Sequence, residues 1–86
     1  MRYYFDIFED DYWARDDVGV DCESDRRARY QAVLALTELA RELLPMGGAT
    51  RHFMIRIRLQ EQTAFSLRLD FDSLSGPALT DRSVAH

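Results

Sequence analysis

Two neighbouring stretches in the second half of the chain, residues 51–59 and 63–71, follow an alternating pattern. Every second position is a large apolar residue from Phe53 to Leu59 and again from Phe65 to Phe71. A period of two is the pattern of a strand with one buried face. A short polar segment, residues 60–62, separates the two stretches, so the pattern predicts a β-hairpin. Its inward side chains would be Phe53, Ile55, Ile57, Leu59, Phe65, Leu67, Leu69 and Phe71.

A second hairpin is predicted at the start of the chain. Residues 2–8 are rich in aromatic and β-branched side chains, which favour a strand. Polar residues 9–11 then form a turn, and residues 12–15 a short returning strand. The first strand would direct Tyr3, Phe5 and Ile7 to the core and Tyr4, Asp6 and Phe8 to the other face. The acidic turn at residues 16–19 ends in Gly19, which admits a positive φ angle.

One helix is predicted between the hairpins, over residues 25–44. Ser24 is suited to cap its N-terminus, and Pro45 stops it. Apolar residues three and four apart form one stripe, which is the expected core face. That stripe contains Ala28, Ala32, Ala35, Leu36, Leu39 and Leu43.

These elements predict an α+β fold of the two-layer ββαββ type, with one helix packed on one face of an antiparallel sheet. Residues 1–71 would form a single domain. From residue 72 the apolar pattern stops, and residues 72–86 are expected to form a flexible C-terminal tail.

Composition narrows the classes of function. The net charge of −4 gives no general attraction to nucleic acid or to an anionic membrane. The 11 basic residues are all arginine, and nine acids fall within residues 6–25. The lone Cys22 excludes an internal disulfide and suits a reducing compartment. We found no apolar run of membrane-spanning length and no signal peptide, and therefore expect a cytoplasmic protein.

No set of residues specifies a chemistry. His52 falls on the outward face of a strand, His86 is the last residue, and Cys22 lies among acids that disfavour its thiolate. The acidic pairs at residues 10–11 and 16–17 match no calcium-loop spacing and are typical of polar turns. The sequence therefore predicts a protein that is not an enzyme and that holds no metal or cofactor.

The outward stripe of the helix is the first candidate interface. A monomer's outer helix face is expected to be mostly charged, whereas this one is half apolar. Scattered exposed apolar residues are common on surfaces, and a contact with a second copy or another protein is the alternative. The stripe consists of Tyr30, Val33, Leu34, Thr37, Arg41 and Leu44.

The open face of the sheet is the second candidate. Tyr4, Arg56, Arg58 and Arg68 would share it. Arginines beside an aromatic ring could bind single-stranded nucleic acid, or they could pair across strands with Asp6 and Asp70. The sequence leaves both interpretations open.

The chain also resembles a bacterial family of short ββαββ proteins, a domain of unknown function. The resemblance covers residues 2–71 and implies no activity. It rests on Arg2, Tyr3, Tyr4 and Phe5 at the start, Asp16, Asp17, Val18 and Gly19 in the turn, Ala28, Arg29, Tyr30, Gln31 and Ala32 in the helix, and Leu69, Asp70 and Phe71 near the end. The turn at residues 60–62 departs from it in lacking glycine.

A weaker resemblance is to antitoxins of the HicB type, which have a strand hairpin followed by a helix. The sequence thus leads us to expect a non-enzymatic protein-interaction module that forms a homodimer. The alternative is an antitoxin-like regulatory protein that binds nucleic acid.

Overall fold

The structure, a computed structural model, describes residues 1–73. The chain forms five strands, one α-helix and one 3₁₀ turn over this range. The strands are β1 (Arg2–Glu9), β2 (Tyr12–Ala14), β3 (Val20–Asp21), β4 (Thr50–Leu59) and β5 (Gln62–Asp72). The helix α1 spans Asp25–Leu43, and the 3₁₀ turn spans Leu44–Met46. Most of the predicted tail, from residue 74 on, lies outside the described residues.

The sheet is antiparallel throughout, with strand order β2-β1-β4-β5. Both predicted hairpins are present, and β1 lies beside β4 at the centre. The predicted α+β fold with a ββαββ order is confirmed. The two-residue strand β3, which the sequence pattern does not predict, pairs with Arg2 and Tyr3 at the start of β1.

The helix begins where it was predicted. The backbone N–H of Arg27 donates to Ser24 Oγ at 3.1 Å, which is the expected N-cap. The helix ends at Leu43, one residue earlier than predicted, because the chain tightens into the 3₁₀ turn that contains Pro45. Asp25 in the first turn accepts a hydrogen bond from the Tyr3 hydroxyl at 2.6 Å, which ties the helix to β1.

The core lies between α1 and the central strands. Its buried side chains are Tyr3, Cys22, Ala28, Ala32, Leu36, Phe53, Ile55 and Ile57. The small alanines let the helix lie close to the sheet. Ala40, which the sequence analysis left out of the core stripe, is also buried, whereas Leu39 is only half-buried.

Leu44 corrects the predicted outer stripe. Its backbone is still helical and its N–H donates to the carbonyl of Ala40, but its side chain is half-buried and packs against the core cluster. It therefore does not continue the outward face of α1.

One helix covers this sheet incompletely. The inward side chains of β4 are fully buried up to Ile57, whereas those of the edge strand β5 are only half-buried. The half-buried set is Phe65, Leu67, Leu69 and Phe71. The hydrophobic layer therefore reaches the protein surface along β5.

Candidate functional site

The face of the sheet opposite α1 is built around one carboxylate. Asp6 lies in the central strand β1, directly across from Arg56 of β4, and Tyr4 lies across from Arg58. Asp6 lies on the face that the alternation predicts, but its side chain is 0% exposed. The long arginine side chains of β4 cover it.

Arg58 is the closest partner of Asp6. Its Nε donates to Asp6 Oδ2 at 2.7 Å and its Nη2 donates to Asp6 Oδ1 at 3.1 Å. The guanidinium also donates to the backbone carbonyls of Asp16 and Gln60. It lies 4.9 Å from the centre of the Tyr4 ring, in a cation–π arrangement. Arg58 is only 3% exposed, so this pair belongs to the interior.

A second acid organises the loop that leads to β3. The backbone N–H of Asp16 donates to Asp6 Oδ1 at 2.9 Å, and Asp16 Oδ2 accepts from the Phe5 N–H at 3.0 Å. The other oxygen, Oδ1, accepts from the N–H groups of Val18 and Gly19. The hydrogen bonds of Asp16 therefore hold the loop against β1.

The charges of this network are mutually stabilised. Burial alone raises the pKa of Asp6, but hydrogen bonds from Arg58, the Asp16 N–H and Arg56 outweigh it and lower the pKa to about 2. The hydrogen bond to Asp6 in turn raises the pKa of Arg58. Both groups therefore stay charged in neutral solution, and their charges are satisfied within the chain.

The structure places the predicted arginines of the open face together on one face but binds each to a carboxylate. Arg56 donates from Nε and Nη2 to Asp6 Oδ2 at 3.1 and 2.9 Å. Arg68 donates to Asp70 Oδ2 at 2.9 Å, and Asp70 Oδ1 lies 2.9 Å from Nδ1 of His52. Cross-strand pairing, one of the two interpretations of this face, is thus present at Asp6, whereas Arg68 and Asp70 pair within β5.

Trp13 adds an aromatic ring beside Phe8 on the same face, which the sequence pattern does not predict. Trp13 of β2 pairs with Phe8, and their rings stack with centroids 5.4 Å apart. Phe8 pairs on its other side with Met54. Trp13, the only tryptophan in the chain, is 48% exposed. The face that Trp13 occupies follows from the β1–β2 register. The sequence of so short a strand does not predict that register.

The outer stripe of α1 is largely as predicted, apart from Leu44. Tyr30 and Leu34 are 50% and 42% exposed, Val33 is half-buried, and Thr37 and Arg41 are exposed. The guanidinium of Arg27 lies 4.8 Å from the centre of the Tyr30 ring. This stripe is therefore a modest apolar patch beside a cation.

The outer edge of β5 is a third surface, which the sequence analysis did not single out. Within residues 1–73, β4 is the strand that pairs with β5, and nothing pairs with its other edge. Residues 65–72 run along β4 without a bulge, since the register shift lies at the start of the strand. Open edges of this kind readily accept another strand.

Cys22 and Asp10, two further candidates for chemistry, have structural roles. Cys22 is buried in the core cluster, and Asp10 accepts from Arg51 Nε at 2.7 Å. Among residues 1–73, no three His, Cys, Asp or Glu side chains come close enough to hold a metal ion. Within residues 1–73, no helix is both long enough and apolar enough to cross a membrane.

Comparison with known proteins gives one match. No curated protein and no solved structure matches the chain. The sequence profile of one family, described as a domain of unknown function (DUF6894), matches residues 2–70. This match covers β1 to nearly the end of β5, and so includes the buried pair of Asp6 and Arg58. The chain therefore belongs to the DUF6894 family.

Proposed function

We propose that this chain is a non-enzymatic protein-interaction module that works as a homodimer. The observation that carries the proposal is the state of β5, whose outer edge is unpaired within residues 1–73 and whose inward side chains are half-buried. A domain formed by residues 1–71 has a thin core, so covering this flank would add stability that the isolated fold lacks.

The disposition of the polar residues supports a role without catalysis. A catalytic acid or base must be free to exchange a proton with a substrate. Here the buried carboxylate of Asp6 is occupied by two arginines, and Asp16 holds backbone N–H groups. The lone thiol, Cys22, lies in the core, away from solvent. The single, buried cysteine and the resemblance to a bacterial family support a bacterial cytoplasm as the compartment.

The alternative, an antitoxin-like protein that binds nucleic acid, draws on the same open face. It is supported by the arginines and aromatic rings that lie there. It is disfavoured by the pairing of Arg56, Arg58 and Arg68 with carboxylates, because phosphates would have to displace those partners. With the net charge of −4, this geometry favours a protein partner over a nucleic acid.

Light scattering behind a sizing column, at low and high salt, tests the homodimer. A dimer mass at both salt concentrations is expected, because most of the contact would be apolar and backbone pairing. A monomer mass under both conditions would overturn the proposal. The same column run with Tyr30→Glu/Leu34→Glu separates the surfaces. Loss of the dimer in this variant would place the interface on α1. An intact dimer would leave the outer edge of β5 as the interface.

A further inference from the structure

We propose that two copies of this chain pair antiparallel through the outer edges of β5, in one register, with the two-fold axis at Leu69. Arg68 of each copy then lies opposite Asp70 of the other. This inference rests on the proposed homodimer and specifies its interface. It joins two sheets into one, with both helices on the same face.

The direction of the backbone groups follows from two hydrogen bonds near the N-terminal end of β4. The N–H of Ser73 donates to the carbonyl of Ala49 at 2.7 Å, and the carbonyl of His52 accepts from Asp10 at 2.8 Å. The backbone N–H and C=O groups of odd-numbered β4 residues therefore point to β5, and those of even-numbered residues point to β1. In an antiparallel ladder the same alternation holds for β5. The backbone groups at the free edge are therefore those of Ser66, Arg68, Asp70 and Asp72.

This alternation restricts the registers of a symmetric pair. Residues with outward backbone groups must lie opposite one another, so the positions of a facing pair add up to an even number. One residue of the strand must then lie directly opposite its own copy, with the two-fold axis between the two; this residue is the centre of the register. Arg68, Asp70 and Leu69 are all possible centres on this ground alone.

Charge selects among these centres. A centre at Leu69 sets Arg68 opposite Asp70 twice, and opposite charges facing each other stabilise a sheet. A centre at Arg68 sets two arginines opposite one another, and a centre at Asp70 sets two aspartates opposite one another. A centre at Leu67 sets Arg68 opposite Ser66, which carries no charge to pair with it. The Leu69 register is the one that uses both charges favourably and faces no like charges.

The apolar side agrees with the same register. On the helix side of the sheet Leu69 would meet its own copy, and Leu67 would meet Phe71 of the other chain. These side chains are half-buried in the single chain, so pairing would complete their burial between the two helices. The strand from Gln62 to Asp72 also lacks the proline and lysine residues that protect many edge strands.

Two charge reversals test the register. Arg68→Asp would set two pairs of aspartates opposite one another across the interface, and Asp70→Arg would set two pairs of arginines opposite one another. Each variant alone is expected to dimerise about 10- to 100-fold more weakly than the natural chain. Mixed together, the two variants complement each other at both positions. Sedimentation of each variant and of the equimolar mixture should show monomers alone and a heterodimer in the mixture.

Asp72→Arg is the matched control. In the Leu69 register residue 72 faces Ser66, so this variant should dimerise like the natural chain, whereas an Asp70 register would place it against Arg68. Single variants that still dimerise, or a mixture that fails to restore the dimer, would overturn the register and leave the homodimer standing. A natural chain that is itself monomeric would overturn both proposals.

Discussion

Arg58 binds both oxygens of Asp6 on the sheet face opposite the helix, at 2.7 and 3.1 Å. The two residues lie 52 positions apart in the sequence and come together because β1 pairs with β4. Both are almost inaccessible to solvent. A buried ion pair with well-formed hydrogen bonds contributes little net stability, but removing one partner leaves the other charge buried and unpaired. The fold therefore depends on each of them being present.

Asp6→Asn is expected to destabilise the protein by about 3–5 kcal/mol, since Arg58 would keep its charge without a counter-charge. Urea denaturation followed by circular dichroism measures this loss. Asp17→Asn is the control, because that carboxylate is 82% exposed and lies 3.5 Å from Arg15. It should change the free energy of unfolding by less than about 0.5 kcal/mol. Equal effects of the two substitutions would contradict the role given to Asp6.

Acid should destabilise the fold between about pH 4 and pH 2. The pKa of Asp6 is lowered from 3.8 to about 2 in the folded chain, so the unfolded chain binds a proton first as the pH falls. The stabilisation is therefore complete above pH 4 and is lost as the pH approaches 2. The pKa values of Asp10, Asp16 and Asp70 are lowered as well, and add to the loss.

The measurement is the urea midpoint at successive pH values at constant ionic strength. The midpoint should be level above pH 4 and decline below it. Asp17→Asn should follow the same curve, since that exposed carboxylate is not part of the Asp6 network. A midpoint that stays constant down to pH 2 would contradict the lowered pKa of Asp6.

The local patterns of the sequence predicted the helix and both hairpins, because alternation and helical spacing are properties of neighbouring residues. Alternation also assigned Asp6 to the correct face of β1. It could not show that this face is covered at Asp6, since the cover comes from Arg56 and Arg58 of a distant strand. The same limit applies to Trp13, whose face depends on the β1–β2 register.

The interface candidates show the same contrast between what neighbouring residues predict and what depends on distant parts of the fold. Helical spacing correctly brought Tyr30 and Leu34 to the exposed side of α1. It misplaced Leu44, whose side chain packs against the core cluster at the end of the helix, a contact that helical spacing alone does not show. The free edge of β5 could not be found from its own residues at all, since it follows from the strand order.

Gly19→Ala should destabilise the protein by about 1–3 kcal/mol. Gly19 has a φ of +77°, and a Cβ there would lie 2.8 Å from Arg2 Cγ and 2.9 Å from Tyr4 Cε2. Backbone strain and a clash therefore act together. Gly47→Ala shows backbone strain without a clash, because Gly47 has a φ of +119° and a ψ of 177°, a region nearly exclusive to glycine, and no atom within 4 Å of the added Cβ. Thermal unfolding measures both losses, and a Gly19→Ala variant as stable as the natural chain would contradict the predicted clash.

Gln60→Gly should stabilise the protein by about 0.5–1 kcal/mol. Gln60 begins the turn between β4 and β5 with a φ of +59°, a conformation that strains a residue with a Cβ. Glycine removes this strain, and the relief exceeds the greater entropy that glycine gives the unfolded chain. The backbone carbonyl that accepts from Arg58 is retained. Glu61→Gly, at a neighbouring position without a positive φ, should instead destabilise the protein, as measured by thermal and urea unfolding. If both glycines lower the stability equally, the positive φ at Gln60 carries no strain and the turn tolerates its glutamine without cost.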